Sequence, residues 1–165
     1  MSCKGGVGKS TLAVNLAVAL SFFFGKRVGL LDADIYGPNH PKMLGFLRSE
    51  EFKLSIENDY LIPISKHGIL SMSMGYFLDA KSSVLLRGPI VSNTINYLLK
   101  KTAWGNLDIL VVDFPPGTGD IYLSMLRDVV FDSVCLITTP QLVSIEDLRR
   151  SIFMLKKFDI RISGI

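Results

Sequence analysis

Lys4-Gly5-Gly6-Val7-Gly8-Lys9-Ser10-Thr11 is the stretch on which the reading of this 165-residue sequence turns. Glycines let a backbone curl so that its N–H groups converge on oxygens, a lysine neutralises outer phosphates, and a hydroxyl can coordinate Mg²⁺. Gly5 to Ser10 supplies all three, so Gly5, Gly6, Val7, Gly8, Lys9, Ser10 and Thr11 are candidate phosphate contacts. The loop leads directly into a helical pattern from Ser10 to about Phe23, whose N-terminal partial positive charge favours a bound anion. A chance glycine-rich turn is the alternative, and the Gly-Lys-Ser-Thr ending ahead of a helix argues against it. Lys4 adds a second lysine at the front of the loop, beside the phosphates; the alternative for it is a solvated surface lysine.

Outward from the loop, the Ser10 helix is apolar on nearly every face, which predicts burial, and Gly25 supplies its stop. A buried strand follows from Arg27 to Asp32, then a loop rich in Gly and Pro from Tyr36 to Pro41. Alternating pieces around Phe52 to Ile56 and Tyr60 to Ile64 predict a hairpin at the sheet edge, with Asn58-Asp59 as its turn. A helix from about Pro89 to Lys101 carries Ile90, Val91, Ile95, Leu98 and Leu99 on one stripe. Leu107 to Asp113 and Ser133 to Thr139 read as buried strands, with a short helix between them from Ile121 to Asp128. A helix from Val143 to Lys157 places Ile145, Leu148, Ile152 and Leu155 inward and Glu146, Arg149, Arg150 and Lys156 outward, and a last strand begins at Ile160. This alternation predicts an α/β fold over 1–165, one domain with a mostly parallel sheet and helices on both faces.

Two strands end in acid. Asp32 and Asp34 follow one and Asp113 ends another, so both would deliver carboxylates to the same carboxyl edge of the sheet, as a magnesium nucleotide site requires. A loop-capping carboxylate is the alternative for each. Beyond Asp113, Phe114-Pro115-Pro116-Gly117-Thr118-Gly119-Asp120 has the features of a switch loop: prolines stiffen it and Gly117 leaves an amide free to approach a γ-phosphate.

The 48% hydrophobic content suits a packed core, and the net charge of +3 is spread along the chain without a basic block, so no nucleic-acid partner is expected. Leu12 to Phe24 is too short to cross a bilayer and Met1-Ser2-Cys3 has no signal-peptide character, so the expectation is a soluble, cytoplasmic protein with no membrane partner. Cys3 and Cys135 are too far apart for a metal or redox pair, and Cys135 reads as a small buried residue of an apolar strand. His40 and His67 belong to no motif and read as surface or loop residues.

Several segments together resemble the Mrp-type ATPases (the ApbC/Nbp group), which carry the deviant form of the Walker A P-loop. They are Lys4 to Thr11, Leu30-Leu31-Asp32-Ala33-Asp34-Ile35-Tyr36-Gly37-Pro38, Arg87-Gly88-Pro89, Ala103-Trp104-Gly105, Asp113 to Asp120 and Thr138-Thr139-Pro140-Gln141. Partition ATPases, MinD and the nitrogenase iron protein share the loop but not the Asp34 to Pro38 and Pro115 to Asp120 pair. The resemblance implies ATP and Mg²⁺ as cofactors and ATP hydrolysis within a homodimer. In it Lys4 acts on the partner's nucleotide, Asp34 and Asp113 are catalytic, Ser10 ligates Mg²⁺, and Asp32 and Asp113 hold the metal through water. It also implies carriage of an iron–sulfur cluster to apoprotein clients. By the same resemblance the strand entering the loop is reduced here to Met1-Ser2-Cys3, and a base-recognising Asn and a cluster-bridging Cys-x-x-Cys would lie beyond Ile165, so both ends are expected to be incomplete. Two other readings stand beside it: a positioning ATPase like MinD or the ParA proteins, which the missing basic patch and amphipathic tail disfavour, and a non-catalytic truncated remnant.

Overall fold

Helix α1, Lys9–Phe24, starts where the glycine-rich loop ends. The computed structural model describes residues 1, 4–46, 54–77, 88–117 and 120–165. Cys3, the start of the expected hairpin at Phe52, Arg87, and Thr118 and Gly119 of the switch loop lie outside them. The chain forms two compact units, Ser10–Asp113 and a second made of Met1–Lys9 with Phe114–Ile165.

In the Ser10–Asp113 unit, α1 buries Ala13, Val14 and Ala17, which pack with Val28 and Leu30 of strand β1, Val28–Asp32, and with Ile69, Leu44 and Tyr76. The expectation of a helix buried all round is corrected: Leu12 and Leu16 are exposed, and Phe22, Phe23 and Phe24 are 78%, 74% and 68% exposed. An apolar composition on every face does not say which stripe meets the sheet. The short connection through residues 25–27 and the packing on β1 decide it.

Strand β1 is buried at every position. Two short strand pairs come next: β2, Ile56–Glu57, with β3, Tyr60–Leu61, and β4, Ile64–Lys66, with β5, Ile69–Ser73. The first pair turns through Asn58 and Asp59, both at positive φ, as the sequence predicts, but it forms a small sheet of its own. The predicted strand from Tyr60 to Ile64 is therefore divided between β3 and β4. The second hairpin, unforeseen in the sequence, turns at His67-Gly68, again both at positive φ. Helix α3, Gly88–Lys101, buries Val91, Ile95 and Leu98, while Ile90 is half exposed and lies off the predicted stripe. Strand β6, Ile109–Asp113, starts two residues later than predicted, is half-buried rather than buried up to Val112, and is buried only at Asp113. Its entry is clamped by Asp108, which accepts from the Arg27 backbone N–H at 2.8 Å and from its guanidinium at 2.9 Å. The four-stranded sheet runs β4-β5-β1-β6, with β1 parallel to both neighbours and β4 antiparallel at the edge.

The other unit contains α4, Asp120–Asp128, β7, Val134–Cys135, α5, Leu142–Lys157, and β8, Ile162–Gly164. Strands β7 and β8 pair in parallel. On the opposite side of β7, the Met1 amino group donates to the Cys135 carbonyl at 2.7 Å and the Ile137 N–H to the Met1 carbonyl at 2.9 Å. Val134 and Leu136 point into the core, so strand alternation turns Cys135 outward, and its exposure corrects the expected burial. In α5, Ser144, Ser151 and Leu155 are buried, Ile145, Leu148 and Ile152 half-buried, and Glu146, Arg149, Arg150 and Lys156 exposed, so the predicted faces hold. Among the described residues, no helix is long and apolar enough to cross a membrane.

Candidate functional site

The phosphate loop is set by glycine. Gly6 and Gly8 take φ of 75° and 92°, in the left-handed region that a Cβ disfavours, and α1 begins immediately afterwards. Lys9 is 7% exposed, its ammonium folded back to donate to the Lys4 carbonyl at 2.8 Å. Lys4 itself donates to Gln141 Oε1 and Ser144 Oγ, both at 3.1 Å, at the start of α5. The buried Ser144 hydroxyl also accepts from Thr139 Oγ1 at 2.8 Å, and Gln141 is the N-cap residue of the helix. A Cβ on Gly5 would lie 3.9 Å from Pro116, and Gly117 has a φ of 103°. Val7 and Ser10 are half-buried; Thr11 is exposed, its carbonyl accepting from Asn15 at 2.7 Å.

Within the Ser10–Asp113 unit, parallel pairing puts Asp32 directly beside Asp113 at the ends of β1 and β6. Helix α1 returns along β1 after three connecting residues, so Ser10, at its start, lies at the same carboxyl edge. Both carboxylates are buried, at 1% and 3% exposure. Asp32 Oδ1 accepts from the Asp34 N–H at 3.1 Å, and Oδ2 accepts from the Ser73 hydroxyl at 3.0 Å and the His40 N–H at 3.3 Å. Burial pushes the Asp32 carboxyl up from its ordinary range, while His40 and the Ser73 hydroxyl pull it back. Asp34 stays out of this cluster: half-buried, it accepts from the Gly37 N–H at 3.0 Å through Oδ1 and so closes the turn after β1.

His40 is the residue that the sequence reading placed wrongly. It is fully buried, not on the surface, and its Nε2 lies 3.0 Å from Asp113 Oδ2. It opens a four-residue helix, α2, His40–Met43, after a loop with no hydrophobic period to report an inward side chain. His67 is as expected, exposed in the β4–β5 turn. Ser73, Gln141 and Ser144 were also missed, because each meets its partner only through the tertiary fold. Gln141 alone carried a signal, as the end of the Thr138 to Gln141 segment.

Ligand atoms of Asp32, His40 and Asp113 all fall within 4.8 Å of one another. Magnesium prefers oxygen and keeps several of its waters, and no described residue bonds Asp113 Oδ1, which leaves that oxygen able to accept from a metal-bound water. The donor set therefore fits a water-mediated Mg²⁺ site better than a direct all-protein cage.

Comparison with known proteins gives the family. A family model described as "NUBPL iron-transfer P-loop NTPase" matches residues 1–165. The chain is 47% identical over 164 residues to an iron-sulfur cluster carrier protein of Helicobacter pylori, covering 99% of this chain and 44% of that protein. It is 48% identical over 168 residues to another of that name from Methanocaldococcus jannaschii, covering 100% and 57%. The chain thus spans about half the length of the curated relatives it matches. A nucleotide-binding protein from Archaeoglobus fulgidus, solved in complex with ADP, superposes with a TM-score of 0.83 at 35% identity, covering all of this chain and 63% of that one. A mostly parallel α/β sheet and a phosphate loop opening a helix are features of the P-loop NTPase fold, and the chain belongs to the NUBPL iron-transfer P-loop NTPase family.

Proposed function

We propose that residues 1–165 act as one ATPase domain that binds and hydrolyses Mg-ATP, within a homodimeric protein carrying iron–sulfur clusters to apoprotein clients. The observation that carries this reading is the conformation of the loop: left-handed Gly6 and Gly8, a buried Lys9 folded over it, and a helix starting at once. Family membership supplies the link to iron transfer. The amides of Gly5 to Thr11 would wrap the phosphates, with Lys9 on the β- and γ-phosphates. Ser10 would ligate Mg²⁺ directly and Asp32 and Asp113 through water; the metal contributes positive charge against the phosphates. Asp113 and Asp34 orient the attacking water, and the Gly117 amide approaches the γ-phosphate. Lys4 serves the partner's nucleotide. Gln141 and Ser144, which accept from Lys4 at 3.1 Å, offer neutral oxygens, and a phosphate attracts an ammonium more strongly than either. The cluster is cargo.

Isothermal titration with Mg-ATP and a phosphate-release assay test the assignment. Lys9→Ala is expected to abolish Mg-ATP binding, whereas Lys4→Ala retains binding and loses most hydrolysis. Equal loss of binding in both variants would remove Lys4 from its role in trans, and no binding by the parent protein would remove the site.

A further inference from the structure

We infer that His40 is a positioning residue that fixes the Asp113 carboxylate, dedicating one oxygen to the protein and leaving the other for a water of the magnesium ion. The inference rests on the nucleotide-site reading above and adds to it a residue from outside the phosphate loop and the strand ends.

Several constraints converge on this imidazole. It is fully buried, with Nε2 3.0 Å from Asp113 Oδ2. A carboxylate only accepts, so Nε2 is the donor of this bond, and Nδ1 is buried without a hydrogen-bond partner among the described residues. Among those residues the ring therefore donates to Asp113 alone. Its main chain is fixed as well: the His40 N–H donates to Asp32 Oδ2, the oxygen that also accepts from Ser73. The preceding turn is tied down by Asp32 Oδ1 on the Asp34 N–H and by Asp34 Oδ1 on the Gly37 N–H. Behind it, Pro41 and Pro38 lie against Gly75 at distances that a methyl group would violate.

The consequence concerns rotation. A carboxylate at the end of its side chain has a broad, nearly two-fold torsional profile, so a free Asp113 could offer either oxygen in several orientations. The His40 bond removes that freedom by holding Oδ2, and Oδ1, which no described residue bonds, faces the remaining role. Outer-shell hydrogen bonds of this kind are how proteins orient the groups that bind a metal. A histidine that served only to fill the core would have to be present, but it would not need a donor at this one atom.

The test separates those two roles by where the donor sits. In Gln the side-chain amide nitrogen reaches roughly the place of Nε2; in Asn it stops near Nδ1. His40→Gln and His40→Asn are prepared in the intact protein and checked for folding by thermal unfolding. Binding of a fluorescent ADP analogue is then titrated with Mg²⁺, alongside binding in EDTA. His40→Gln is expected to keep the Mg²⁺ midpoint within about threefold of the parent, and His40→Asn to raise it about tenfold or more, the usual scale for losing an outer-shell partner. Binding in EDTA should be the same in all three proteins. Midpoints that move equally in both variants, that move in neither, or variants that both fail to fold would overturn the role of His40 while leaving the nucleotide site intact. A parent protein with no Mg²⁺-dependent nucleotide binding would instead defeat the site reading itself, and this inference with it.

Discussion

Gly75→Ala tests whether the loop that carries His40 is held by close packing. Gly75 lies just after β5 in the turn Met74–Tyr76, and a Cβ built there would be 2.9 Å and 3.1 Å from Pro41 Cγ and Cδ and 3.3 Å from Pro38 Cβ. Ordinary contact begins at 3.4 Å, so the loop would have to retreat by about half an ångström. Neither neighbour can rotate out of the way, because both are pyrrolidine rings whose atoms are tied to the main chain. Overpacking of this kind costs about 1–3 kcal/mol. In a chain of this size each kcal/mol lowers the melting temperature by about 2–4 °C. The displaced residues adjoin His40, whose 3.0 Å bond to Asp113 has little slack before it exceeds hydrogen-bonding distance. Gly75→Ala should therefore melt several degrees lower and need more Mg²⁺ for nucleotide binding, as read by calorimetry and by the fluorescent-nucleotide titration. A variant with the parent's melting temperature would refute the packing argument, and one that melts lower with an unchanged Mg²⁺ midpoint would refute the coupling to His40.

Leu30→Ala removes a side chain with no exposed surface from the middle of β1, and should destabilise the protein by about 2–5 kcal/mol in denaturant unfolding; a loss below about 1 kcal/mol would mean that the core collapses into the gap. The Arg27 guanidinium and backbone N–H hold the Asp108 carboxyl down at about 2 from its ordinary 3.8. Because the folded value is depressed, the stabilisation is present above the ordinary value and is lost as pH falls from about 4 towards 2. Asp108→Asn should accordingly lower the melting temperature slightly at every pH above about 4, the pair being exposed, and converge on the parent towards pH 2, so that the acid limb is flatter; an unaltered acid limb would contradict the pairing.

How much of this protein was written locally is visible in the phosphate loop. It consists of eight consecutive residues, and the left-handed conformations at Gly6 and Gly8 are properties of those residues and their immediate neighbours. The helix after it, the strands ending at Asp32 and Asp113, the Asn58-Asp59 turn and the sided α5 helix were legible for the same reason, since hydrophobic period and turn chemistry act over a few residues. Tertiary structure decided what period cannot carry. Which stripe of α1 is covered depends on how the helix docks, so Phe22 to Phe24 emerged exposed from a pattern that reads as buried. Cys135 faces outward because its alternation in β7 is anchored by Val134 and Leu136. His40 and Asp113, 73 residues apart, and Lys4 and Ser144, 140 apart, meet only once strand register and helix placement are set. Nothing in the residues flanking either member specifies the other. The sequence by itself determined the phosphate-binding apparatus and the class of fold, because those are short-range; the partners that orient its lysine and its carboxylates were decided by long-range pairing of the folded chain.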